Sequence, residues 1–102
     1  MAIEMTVRHA VNENDETKKQ MRDFGTDRAA TLESTYPEIE WVRAVIDKDG
    51  AFFMVVVEVQ GARQMNARAE HKDIDAYTAL GSAFDKANVQ LRKQSEKNIE
   101  RY

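Results

Sequence analysis

The sequence predicts an α+β fold: a two-layer sandwich in the order β-α-β-β-β-α, a four-stranded sheet with two helices on one face. Three observations carry that prediction. In the C-terminal stretch Ala69–Lys97, the apolar residues Tyr77, Leu80, Phe84, Ala87 and Leu91 recur at steps of three and four, the stripe of an amphipathic helix. Met21, Phe24, Leu32 and Tyr36 mark a second such helix earlier in the chain. The middle of the chain is a set of short alternating runs broken at Gly50 and Gly61, which reads as strands.

Composition limits the function classes. A chain of 102 residues is large enough for one modest core, so residues 1–102 are expected to form a single domain. It is 42% hydrophobic and 32% charged, the balance of a soluble globular protein. No stretch is long and apolar enough to span a membrane, and the start lacks the charged-then-apolar pattern of a secretory signal. Zero cysteines exclude disulfides, thiolate zinc sites and a cysteine nucleophile. These features point to the cytoplasm. A formal charge of −3 argues against a generally basic nucleic-acid binder but says nothing of local stripes.

Taken in order, Ile3, Met5 and Val7 alternate with Glu4, Thr6 and Arg8, a half-buried strand. Asn14 or Asp15 is a good N-cap for a helix over roughly Glu16 to Thr35, which Pro37 ends. Gly25 weakens that helix by about 1 kcal/mol against alanine. Glu40 to Asp47 and Ala51 to Gln60 are strands joined by Asp47-Lys48-Asp49-Gly50, with Asp-Gly as the hairpin signal. After Gly61, Met65, Ala67 and Ala69 alternate with Asn66, Arg68 and Glu70, a last strand over Gln64–Glu70 that completes an antiparallel meander.

Strand phase assigns the faces. Val55, Val57 and Val59 should meet the helices together with Val42, Ala44 and Ile46. The opposite face then carries Trp41, Val45, Phe52, Met54 and Val56, which is either a contact surface, supporting a weak homodimer through Trp41, Phe52 and Met54, or a face whose phase a bulge shifts, or an apolar outer face without a role.

Little in the chain suggests catalysis. His9 and His71 follow the first and last strands, and adjacent strand ends could bring them together, but no third ligand accompanies them. No serine lies in a nucleophile elbow and no glycine-rich phosphate loop is present. No metal, cofactor, small-molecule substrate or catalytic residue is assigned, and the chain reads as a non-enzyme. What remains is a row of cations. At about 100° per residue, Lys93 and Lys97 fall about 20° to either side of Lys86, away from the apolar stripe. With Arg92 and Arg101 they supply the basic character of the chain's end, and a few such residues suffice for phosphate contacts. Arg28 is a second oddity, placed inside the apolar arc of the first helix between Phe24 and Leu32, either snorkelling at the core's edge or held in a cleft between parallel helices.

These residues resemble the short ribosome hibernation promoting factors, a family that includes the ribosome-associated translation inhibitor. Met21-Arg22-Asp23-Phe24 is similar to the family's opening of the first helix, and Leu32-Glu33 with Tyr36 and Ile39 to its end. Ala69-Glu70-His71 with Asp75, Tyr77 and Ala79 resembles the strand-to-helix junction. Asp85-Lys86 and Gln90-Leu91-Arg92-Lys93 resemble the most characteristic part of the second helix. The resemblance implies the same β-α-β-β-β-α fold and a protein that binds the small ribosomal subunit in the mRNA and tRNA channel, inhibiting translation as a stress response. Carried over by position, it implies RNA binding by Arg28, Lys86, Arg92 and Lys93, with Lys97 extending the row. Thr31, Ser34 and Val89 stand where the family usually has Lys or Arg, and Gly81 where an acidic residue is common, so binding is expected to be weaker, and either this member binds through a shifted set, Lys18, Lys19 and Arg22, or it has drifted from the ribosomal role. The short chain implies absence of the extra domain of long members. The alternatives are an RNA-binding module of related layout, against which Asp73 and Asp75 count at the start of the last helix, and a protein-association module of the same fold.

Overall fold

The alternation of the strands decides the layers. The computed structural model describes residues 2–100, with side chains through residue 96. Its elements are β1 (Ala2–Val7), α1 (Asp15–Thr35), β2 (Ile39–Asp49), β3 (Phe52–Gly61), β4 (Asn66–Asp73) and α2 (Ala76–Glu100). One sheet has the order β1-β2-β3-β4, with β1 parallel to β2 and the other pairs antiparallel. Val42, Ala44 and Ile46 lie opposite Val59, Val57 and Val55, and all six are buried beneath the helices. No phase shift interrupts that face: the one register irregularity falls between Ile39 and Trp41, at the start of β2.

Both helices cover this face, α1 over β1 and α2 over β3 and β4. Ala67 and Ala69 on β4 and Ala79, Ala83 and Ala87 on α2 are all buried, so small residues meet small residues and α2 lies close to the sheet. Larger Leu80, Phe84 and Leu91 fill the space toward the centre. Each large apolar side chain buried in this way contributes about 1.5–3 kcal/mol. Gly25, expected only to weaken α1, is buried against β1, where an added Cβ would stand 2.7 Å from Met5 Sδ. The residue trades helix propensity for a close approach of helix to strand.

Two expectations shift. Residues 69–73, read in part as the start of the last helix, extend β4: Ala69, His71 and Asp73 pair with Val57, Val55 and Phe53. The long partner β3 offers a full ladder, and the helix begins only where aspartates can cap it. Asp73 Oδ1 accepts the Asp75 N–H at 3.0 Å, and Asp75 Oδ2 accepts the Thr78 N–H at 3.0 Å and its hydroxyl at 2.7 Å. Those bonds hold the Asp75 carboxyl below the usual carboxylate range. The hairpin turn is also displaced. Lys48 and Asp49 pair with Phe53 and Phe52, so the loop is Gly50-Ala51 and not the expected Asp47-Lys48-Asp49-Gly50. Gly50 supplies φ +60 at the first loop position, which the tight hairpin needs. At the start of α1 the expected cap is present, Asn14 Oδ1 accepting the Thr17 N–H at 2.7 Å.

Candidate RNA interface

Two contacts define the seam between the helices. Phe24 of α1 meets Tyr77 of α2 edge to face, with ring centroids 5.3 Å apart. Further along, the Tyr36 hydroxyl, at the C-cap of α1, donates to Asn88 Oδ1 at 2.7 Å. Contacts in the same order on both helices mean that they run parallel, as the connection through the sheet requires. Tyr36 is buried, and burial pushes its phenol up while the nearby Arg92 guanidinium opposes that shift.

The cations of the seam follow from helical spacing. Arg28 stands one turn after Phe24 and stacks on its ring, 5.2 Å from the centroid, with its charge exposed. Arg92 stands one turn after Asn88 and is likewise exposed. With 1.5 Å of rise per residue, the two guanidinium positions lie about 16 Å apart along parallel helices. Between them α1 presents polar but uncharged groups. The Thr31 hydroxyl donates to Asp27 O at 3.1 Å and that of Thr35 to Thr31 O at 2.9 Å, so both are turned back on their own helix.

The remaining predicted site residues are not gathered there. Arg22 is half-buried on α1, about 120° around that helix from Arg28. Lys93 is exposed on the outer face of α2. The Lys97 side chain and Arg101 lie outside the described residues. Lys86 does not stand free in a row with Lys93: its ammonium reaches the sheet edge, donating to Glu70 O at 3.2 Å and lying 3.0 Å from His71 Nδ1. The cause is its flank of α2, which overhangs β4.

That flank holds residues the sequence reading passed over. Gln90 donates to Arg68 O at 2.9 Å and accepts from Arg68 N at 3.1 Å. Gln94 accepts from Asn66 N at 3.1 Å and donates to Asn66 O. Two side-chain amides, one turn apart, thus take the place of a fifth strand and close the β4 edge to other chains. Steps of four from Lys86 to Gln90 to Gln94 set them on one flank of α2, but their backbone partners leave no mark in the sequence. Asn88, the partner of Tyr36, carried no signal either.

The outer sheet face holds Trp41, Val45, Phe52, Met54 and Val56 as the phase predicts, all partly or largely exposed. It is not uniformly apolar. Glu4, Arg43, Glu58 and Arg68 are cross-strand neighbours in one row that spans all four strands with alternating sign. Arg43 lies 3.6 Å from Glu4 and stacks on Trp41 at 4.9 Å.

His9 and His71 are not brought together. His71 lies on β4 and His9 follows β1, at opposite edges of the sheet, so three strand spacings, about 14 Å, separate them. Among the described residues no group of three or more His, Asp or Glu side chains is placed to hold a metal ion, and no helix is long and apolar enough to cross a membrane.

Comparison with known proteins agrees with this architecture. A ribosomal subunit interface protein from Coxiella burnetii superimposes with a TM-score of 0.71 at 21% identity, covering 94% of this chain and 99% of that one. The N-terminal domain of Protein Y from Thermus thermophilus gives a TM-score of 0.72 at 23% identity, with 91% and 98% covered. At such identities these structures speak for the fold alone. No curated protein matches the sequence. The model of one family, however, matches residues 4–99, nearly the whole chain. The chain therefore belongs to the family described as Sigma 54 modulation protein / S30EA ribosomal protein.

Proposed function

We propose that this chain is a non-catalytic ribosome-binding protein that lies in the mRNA and tRNA channel of the small subunit and inhibits translation, a hibernation role in the cytoplasm. The observation that carries the reading is the pair of exposed arginines, Arg28 and Arg92, along the seam of two parallel helices in a member of this family. The name of the Coxiella burnetii relative, a ribosomal subunit interface protein, supports it. Guanidinium groups spaced along a groove suit a phosphate backbone, because each presents a planar fork of donors to phosphate oxygens. Inhibition in this reading is by occupancy: two helices laid on rRNA exclude mRNA and tRNA sterically.

In a cell-free translation reaction the protein should depress initiation, and excess mRNA with initiator tRNA should relieve the block. Inhibition that persists at any excess, or a modification of rRNA that accumulates with time, would contradict occupancy.

Self-association through Trp41, Phe52 and Met54 is expected to be weak. A dry sheet-on-sheet dimer would bury the Glu4–Arg43–Glu58–Arg68 row, and desolvation costs several kcal/mol per ion before pairing offsets it. Sedimentation should give the mass of one chain at tens of micromolar concentration. A dimer there, dissolved by Phe52→Glu without unfolding, would instead make this face an interface.

A further inference from the structure

The end of β4 carries an arrangement that channel occupancy does not require. The Lys86 ammonium lies 3.0 Å from His71 Nδ1 and donates to Glu70 O at 3.2 Å. An ammonium has donors and no acceptor, so Nδ1 must accept. The imidazole in this arrangement is neutral, with its proton on Nε2. That nitrogen faces Asp73, whose Oδ2 is 3.9 Å away. His71 is thus held between a cation from α2 and an anion from its own strand. β3 opposes it with Val55, and the neighbouring β3 side chains on that face, Phe53 and Val57, carry no charge. The Glu70 carboxylate lies instead toward Arg68, at 3.9 Å. The His71 side chain retains 27% exposure, so protons and anions reach it from solvent.

A second proton has one place to go. Added at Nδ1, it removes the acceptor that holds Lys86 and sets two cations against each other at hydrogen-bond distance. Asp73 can retain the imidazolium through Nε2–H. Lys86 keeps only the Glu70 carbonyl, and its flexible four-carbon stem lets the ammonium swing outward. Acidification therefore turns a self-satisfied contact into two adjacent cations at an exposed corner of α2 and β4. We propose that His71 and Lys86 form a pH-gated phosphate site, closed when His71 is neutral and open when it is protonated, whose ligand is the phosphodiester backbone of RNA. The choice of RNA rests on the ribosome-binding reading; the gate itself does not. The sign is fixed by linkage. A bound phosphate favours the imidazolium, so affinity rises as pH falls and His71 gains its proton, and the gain is lost as that proton leaves.

The gate is testable in the free protein by nitrogen NMR of the imidazole and the lysine amine, with sulfate as the probe because its charge is constant over this range. At pH 8 His71 should be the Nε2–H tautomer, and sulfate should leave Lys86 unmoved. At pH 5.5 sulfate should shift both residues and bind about tenfold more tightly, and the change should vanish in His71→Gln, a neutral variant that keeps a polar group beside Lys86. Observation of the Nδ1–H tautomer at pH 8, or the same sulfate response in wild type and His71→Gln, overturns the gate. The RNA ligand is read separately, from affinity for purified small subunits at fixed salt. Wild type should gain about tenfold from pH 8 to 5.5 beyond His71→Gln, with a salt slope steeper by about one. A sulfate response as predicted with no such gain overturns the choice of RNA and leaves the gate standing.

Discussion

Changing Arg28 and Arg92 together to glutamate should weaken binding to small ribosomal subunits by about 100-fold or more. Each guanidinium is exposed at the helix seam and satisfied by no carboxylate among the described residues, so its hydrogen-bonding capacity is available to a phosphate. A hydrogen bond to a charged group contributes about 1.5–3 kcal/mol, and two such losses alone reach that factor. Reversal adds repulsion to lost attraction. The slope of log affinity against log salt should fall by about two, one for each contact. Folding should survive, because neither side chain is in the core; Arg28 loses only its stack on Phe24, about 0.5–1 kcal/mol at an exposed site. The matched control reverses Lys18 and Lys19 at the start of α1. If that pair governs binding and the seam pair does not, the interface has moved to the beginning of α1.

Leu91→Ala should produce the largest loss of stability, about 2–5 kcal/mol by chemical denaturation. Leu91 is 0% exposed and lies in the half of α2 that also carries Gln90, Arg92 and Gln94. The cavity would open under the segment that both seals the β4 edge and presents a seam cation. Against a total of about 5–15 kcal/mol for a natural domain, the variant should melt on the order of 10–30 °C lower. Leu91→Met, which conserves volume, should cost less than about 1.5 kcal/mol. A truncation cost under about 1 kcal/mol would mean that α2 is not anchored there.

Much of this was legible in the residues. The phase of the valines in β2 and β3 assigned both sheet faces, because period-two burial leaves no other arrangement for Val55, Val57 and Val59. Asn14 and Pro37 marked α1 to within a residue, since capping and the restriction before proline are local effects. The start of α2 was misplaced because Ala69 and Glu70 fit either period, and only the length of β3 decides in favour of the strand. Arg28 was visible as a cation in an apolar arc, but its seat on Phe24 depends on where α2 lies. Lys86 was grouped with Lys93 on helical angle alone. That angle is correct, yet a lysine stem spans far enough to reach the Glu70 carbonyl, and a helical wheel contains no sheet edge. The same omission hid Gln90 and Gln94, whose partners are backbone atoms with no signature in sequence. The alternating row across the outer face was also out of reach, because it requires the register of all four strands.

The central claim is that the helix seam seats this protein on the small subunit where mRNA and tRNA bind. Its most direct measurement is chemical footprinting of rRNA in purified subunits, with the protein added alone and then in competition with mRNA and initiator tRNA. Protection confined to the channel of the small subunit, lost with Arg28→Glu/Arg92→Glu and displaced by the competitors, is the predicted result. Protection elsewhere, or protection that the double reversal leaves intact, would contradict it.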